Sequence, residues 1–302
     1  MNNSSQKAGL KRPTIAVTAS ILAVGALALT PSHAAAAIDV SHKIKIAGDL
    51  RMFTQRMALS VAFVMLDVEK EHFLEVLRDE YGEFQADIDA LRNGDPEYQM
   101  SPEENKLVLE AINTVEFGWS ILGPQLKDVI DKGEVDDAHF AKIEKVNTQV
   151  MTLADSLIHR ILTEYSDEVP LDLAYQIDVT GAQRTLSQKM IKEAILVALD
   201  FEAEAHHEML TGSIPLFQFG LDKLAGKMMH NEQMLPALSG ELAGHLDTAT
   251  GLWAELKPVL EKLDQTHEIT EADALMLAKE ADDLLVTFDA ILEVLIREAE
   301  LA

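Results

Sequence analysis

The chain has 302 residues, 48% of them hydrophobic, and 51 acids against 25 Lys and Arg give a formal charge of −26. Such a field repels a phosphate backbone, which excludes nucleic acid as a partner, and the absence of cysteine excludes disulfides, thiol catalysis and thiolate metal sites. Aromatics at 5%, with few Gly and Pro, favour helices over sheet sandwiches, which lean on aromatic and β-branched strands.

The first segment is a leader. Lys7, Lys11 and Arg12 make a basic start, an apolar run extends from Thr14 to Thr30, and small residues follow at Ala34 to Ala37. That order of parts is a secretory signal peptide over residues 1–37, so the mature protein is expected to be periplasmic or secreted. The alternative is an uncleaved N-terminal helix anchoring the chain, for which a 17-residue run is short. No later stretch is apolar enough to span a bilayer. Removing residues 1–36 deletes three cations and no acids, which takes the formal charge from −26 to −29.

From Ile46 onward, Leu50, Phe53, Met57, Val61 and Val64 recur at threes and fours, one stripe of a helix. Breaks are expected near Gly82, Asn93-Gly94 and Gly133. Ser101-Pro102-Glu103-Glu104 suggests a capped helix start, with Pro in the first turn. Breaks near Gly212 to Pro215, Gly226 and Asp264 to Glu268 divide the second half, and Thr270 with Asp273 suggests another capped start. Pro124 and Pro258 fall inside the third helix of each half and should kink it.

The chain repeats itself. Shifting by 133 places Leu66-Asp67 on Leu199-Asp200, Glu69 on Glu202, Phe84-Gln85 on Phe217-Gln218 and Leu91 on Leu224; one residue of slippage later, Trp119 meets Trp253 and Pro124 meets Pro258. A tandem duplication follows, with units at 38–168 and 169–302. Four helices with short connections in each unit predict an all-α protein of two tandem up-down four-helix bundles.

The strongest repeated signal opens each unit. "AGDLRMFTQRM" carries Gly48, Arg51 and Gln55, and "TGAQRTLSQKM" carries Gly181, Arg184 and Gln188. Spacings of three and four put each trio on one helix face, away from the apolar stripe. A Gly there suggests close approach by another helix, and an Arg offers five donors and a fixed charge. The plain reading of such an Arg is a surface ion pair in a very acidic protein.

These two stretches resemble the signature of NarX-like (PilJ-like) sensor domains, close to "AGRQRMLSQRMAK". The resemblance extends over both mature units. It implies a periplasmic four-helix bundle of the kind found in nitrate/nitrite sensor kinases and type IV pilus chemoreceptors. It also implies that Arg51 and Arg184 face each other and hold one nitrate or nitrite between them, with Gly48, Gln55, Gly181 and Gln188 supporting the helix interface. A tandem chain would supply both arginines as a monomeric pseudo-dimer, or two chains would pair as a homodimer. Two facing guanidinium groups repel, and a planar anion between them replaces that repulsion with charge-assisted hydrogen bonds. This sequence has Asp49 and Ala182 at the family's first arginine, Thr54 at its Ser, and Lys189 where Arg56 is kept.

The function implied is a non-enzymatic sensor without a cofactor, passing its signal to a membrane receptor or sensor kinase partner, because the chain contains no output domain of its own. An interaction module docking through the same face, with no small ligand, is the alternative. A carboxylate-bridged metal bundle is the third reading, since Glu69 with His72 and Glu204 with His207 have the right spacing. These pairs are not at equivalent places, however, because His72 aligns with Ala205.

Overall fold

The computed structural model describes residues 33–301, with side chains from 35 to 298. The leader expected over residues 1–37 therefore lies almost wholly outside the described residues. Among the described residues the fold is all-α, with eight helices and one small hairpin. The helices are α1 (His33–Leu66), α2 (Lys70–Asn93), α3 (Lys106–Lys132), α4 (Asp137–Glu164), α5 (Leu171–Ala198), α6 (Ala203–Leu224), α7 (Glu241–Thr266) and α8 (Glu271–Leu301). The hairpin pairs β1 (Met229–His230) with β2 (Gln233–Met234). Its turn places Asn231 and Glu232 at positive φ, a combination that favours two-residue hairpins.

Packing organises the helices into two rings of four. In the first, α1 touches α2 and α4 while α3 closes the ring; in the second, α5 touches α6 and α8 while α7 closes it. The rings meet where α1 lies along α5, with α8 also touching α1. Both first helices are therefore buried on nearly every side, as the run from Leu59 to Val64 and the run from Met190 to Val197 show. Each ring is anchored by an aromatic pair. Phe84 stacks on Trp119 at 4.3 Å and Phe217 lies 4.6 Å from Trp253 between ring centroids. Pairs of this kind add about 1 kcal/mol beyond the area they bury.

Several boundaries differ from expectation. α1 begins at His33, well before the periodic stretch from Ile46. Gly82 breaks nothing, because α2 continues through an open position where a methyl group would meet no atom within 4 Å. Gly212 and Pro215 likewise lie inside α6. The actual corners are Asp67 to Glu69 and Asp200 to Glu202, where Asp and Glu adopt left-handed φ of 59° and 48°, then 57° and 43°. The start of α3 is capped not by Ser101 but by Asn105, whose side chain accepts from the amides of Leu107 and Val108. Glu103 turns inward instead, to Lys43 and the Tyr165 hydroxyl. The stop at Gly133, in left-handed geometry at φ 69°, is as expected. So is the Thr270–Asp273 capping box, closed by two backbone-to-side-chain bonds of 3.0 and 3.1 Å.

Candidate functional site

The Gly-Arg-Gln faces of α1 and α5 both turn into the seam between the rings. Contacts run in the same sense along the two helices, Arg51 with Asp178 and Arg56 with Gln188, so the helices lie parallel. Arg51 and Arg184 are almost fully buried. Each is held by two carboxylates, one from the fourth helix of its own ring and one from the first helix of the other. Arg51 donates to Asp155 of α4 at 2.6 Å and to Asp178 of α5 at 3.3 Å. Arg184 donates to Asp49 of α1, and its Nε lies 2.8 Å from Asp289 of α8.

The terminal donors of Arg51 are thus engaged and Arg184 is held from two sides by acids, while the Nε of Arg51 is buried without a hydrogen-bond partner. The two guanidinium groups also line different clefts. Arg51 borders one of about 320 Å³ with Thr152, Asp155, Thr185 and Lys189. Arg184 borders another of about 300 Å³ with Asp49, Asp87 and Asp289. A single anion clasped by both arginines is not the arrangement the seam presents. The charge at each Arg is balanced internally, which is what a buried guanidinium requires.

The supporting residues divide. Gln188 accepts from Arg56 across the seam at 2.9 Å and donates to the Ala281 carbonyl at 2.8 Å. Gln55 donates to the Met151 sulfur of α4 at 3.2 Å, and its buried Oε1 has no partner. The position facing that oxygen by analogy belongs to Lys189, the shorter counterpart of Arg56. The glycines do not do what was expected of them. A Cβ on Gly48 would meet nothing within 4 Å, and one on Gly181 would make ordinary contact with Arg51 at 3.5 Å. Close helix approach occurs instead at Gly220 of α6, where a Cβ would lie 2.1 Å from the Gln183 side chain of α5.

Electrostatics distinguish the two clefts. Burial works against ionisation of Asp49, but Lys45 and Arg184 outweigh it and hold the carboxyl below the usual range. Burial pushes Asp289 up despite Arg184. Glu80 on α2 is pushed to about 8 by burial, although Arg56 opposes the shift. Asp87, one cleft wall further along α2, is also pushed to about 8, by burial and then by the charge of Asp49. In the Arg51 cleft, burial lowers Lys189, with Lys192 adding to the effect and Glu193 opposing it.

The metal reading finds no converging set. His72 pairs with Asp282 at 3.3 Å and His207 with Asp264 at 2.7 Å. Among the described residues, no three His, Asp or Glu side chains are placed to hold an ion. Sequence reasoning missed Asp155, Asp178, Asp289, Glu80 and Asp87. A signal for two of them was present, because Asp155 and Asp289 are 134 residues apart, the same register that relates the two tryptophans.

With this geometry in view, comparison with known families is informative. Residues 35–139 match the PilJ family model, the type IV pili methyl-accepting chemotaxis transducer N-terminal domain. The match runs from the start of α1 to the first turn of α4 and contains the first Gly-Arg-Gln face. Among curated proteins, none matches the chain. The match suggests a sensor-type helical domain of the chemotaxis-transducer kind over these residues. No helix among the described residues is long and apolar enough to cross a membrane.

Proposed function

We propose that the chain is a non-enzymatic sensory protein acting outside the cytoplasm, built from two tandem units at 38–168 and 169–302. In this reading a small planar anion such as nitrate or nitrite is detected at the α1–α5 seam, and the change is passed to a partner protein. The observation that carries it is the double engagement of Arg51, by Asp155 of its own ring and Asp178 of the other. Asp155 is the replaceable member, since its side chain is 45% exposed while that of Asp178 is 12% exposed. Beside it, Thr152, Thr185 and Lys189 add two hydroxyls and an under-solvated cation to the same cleft. An anion entering there would displace Asp155 from Arg51 and gain Lys189 as a second charge. The displacement loosens α4 from α1, giving an element with two arrangements that a ligand can bias.

Calorimetric titration with nitrate, then nitrite, with chloride as control, tests the proposal. Saturable heat at one anion per chain, abolished by Arg51→Ala and weakened by Lys189→Ala, is the expected result. One anion per two chains would move the pairing between molecules. No heat, and no anion-dependent rise in melting temperature up to millimolar concentrations, would remove anion sensing.

A further inference from the structure

The second cleft, on the Arg184 side, has a different chemistry. Six carboxylates border it, from Asp49, Glu80, Glu83, Asp87, Asp289 and Glu293, against two cations, Lys45 and Arg184. Both cations are already committed. Lys45 lies 2.7 Å from Asp49, and Arg184 binds Asp49 and Asp289. Glu80 has its Oε1 3.4 Å from Arg56, and neither cation lining the cleft pairs with Glu83, Asp87 or Glu293. Two of these four acids carry a sharper signal. Glu80 is nine-tenths buried, and its Oε2 has no hydrogen-bond partner. The Oδ2 of Asp87 is also buried and without a partner. Unpartnered buried oxygens are costly and rare in folded proteins.

We propose that this cleft binds a compact organic cation with two ammonium groups joined by an apolar spacer. Glu80 and Asp87 are seven residues apart on α2, two turns or roughly 10 Å along the helix axis. They form two separate anchor points and no single chelating cluster. Met52, Phe53 and Leu285 also line the cleft and offer apolar surface to an alkyl spacer. The ring of Tyr98 at the rim already faces a cation, its centroid 5.9 Å from the Lys45 ammonium. A bare metal ion suits the cleft poorly, because among the described residues no three donors converge on a point.

The protonation of the anchors supports the assignment. Glu80 faces Arg56, Arg184 and Asp282, and Asp87 faces Asp49, Lys45, Glu83 and Arg184; burial outweighs the cations and holds both acids near 8. At neutral pH each carboxyl keeps its proton. An arriving ammonium favours the ionised form, so the proton leaves to solvent as the ion pair forms, and affinity should rise between pH 6 and 8.5. This inference uses the cleft opposite the Arg51 site, so an amine titration and a nitrate titration can fail independently.

The test is calorimetry of the purified chain with 1,5-diaminopentane and with spermidine, at pH 7 in two buffers of different ionisation heat. n-Butylamine and Mg²⁺ serve as comparators. Expected are a single saturable site, a buffer-dependent heat that reports proton release, and n-butylamine weaker by about tenfold or more. Glu80→Gln and Asp87→Asn should each weaken diamine binding by about tenfold while leaving the melting temperature unchanged or raised. If Glu80→Gln fails to fold, Asp87→Asn and the exposed Glu83→Gln carry the test. No saturable heat with either diamine, equal affinity for Mg²⁺, or wild-type binding by the folded variants would overturn the proposal.

Discussion

Arg184→Ala is the perturbation that best separates a seam held by buried charge from one held by apolar contact. The substitution strips the guanidinium from Asp49 and from Asp289. Removing one partner of a buried ion pair costs about 3–5 kcal/mol, because the remaining charge loses its compensation. Two features move the value toward the lower end. Lys45 still holds Asp49 at 2.7 Å, and the Asp289 side chain is 37% exposed and can be hydrated. A loss of about 3 kcal/mol follows. Arg51→Ala should cost less, about 1–2 kcal/mol, because its shorter contact is to the half-exposed Asp155 and is partly screened. Urea unfolding at pH 7 of both variants, with Asp49→Ala and the Asp49→Ala/Arg184→Ala double variant, gives the two losses and their coupling. The reasoning fails if Arg184→Ala costs less than about 1 kcal/mol. It fails equally if Arg184→Ala costs no more than Arg51→Ala, or if the double variant loses the sum of its singles.

Gly48→Ala should be tolerated or slightly stabilising, by about 0.5–1 kcal/mol from helix propensity, since its Cβ meets nothing. Gly220→Ala should cost about 1–3 kcal/mol, because Gln183 must give up its 2.7 Å bond to the Phe217 carbonyl; equal melting temperatures for the two variants would contradict this. Lys189→Arg supplies at the second copy the guanidinium that Arg56 offers to Gln188, and should satisfy the orphaned Gln55 Oε1 for about 1 kcal/mol, read as a rise in urea midpoint. Glu80 holds a proton in the folded state that the unfolded chain releases near 4.5, so its contribution to stability declines as pH rises from 4.5 through about 8. Glu80→Gln should flatten that decline, and an unchanged pH profile of the urea midpoint would refute it.

The helical class and the seam were legible because their signals are periodic and local. Leu50, Phe53 and Met57 repeat at helical spacing, and the Gly-Arg-Gln trio marks a second face on the same helix, which explains why α1 is buried nearly all round. Gly94 and Gly133 do end α2 and α3, but the α1–α2 and α5–α6 corners were not legible from breaker residues. Gly82 and Pro215 are overridden by the packing of α2 and α6, while Asp67-Val68-Glu69 turns the chain without Gly or Pro. The clue lay in the equivalence of Asp67 with Asp200, since the short polar side chain of Asp tolerates left-handed backbone better than most; nothing of the kind marks Glu69 and Glu202. The carboxylate partners of the arginines come from α4 and α8 and from the opposite first helix, all more than a hundred residues away, where a solvated acid and a seam acid look alike in sequence.

The cross-ring carboxylates also make the two halves of the seam unequal. Under the 133-residue shift, Asp178 aligns with Lys45 and Asp49 with Ala182. Two copies of the first half meeting each other would set Arg51 against Lys45, like charge on like. Two copies of the second half would set Arg184 against Asp178, with Ala182 where Asp49 stands. In the mixed pairing the two arginines take their cross-seam acids from different positions of the repeat, Asp178 for Arg51 and Asp49 for Arg184. Divergence between the halves therefore works as an address label, directing the first half toward its own sequel in the chain and away from a stranger's first half.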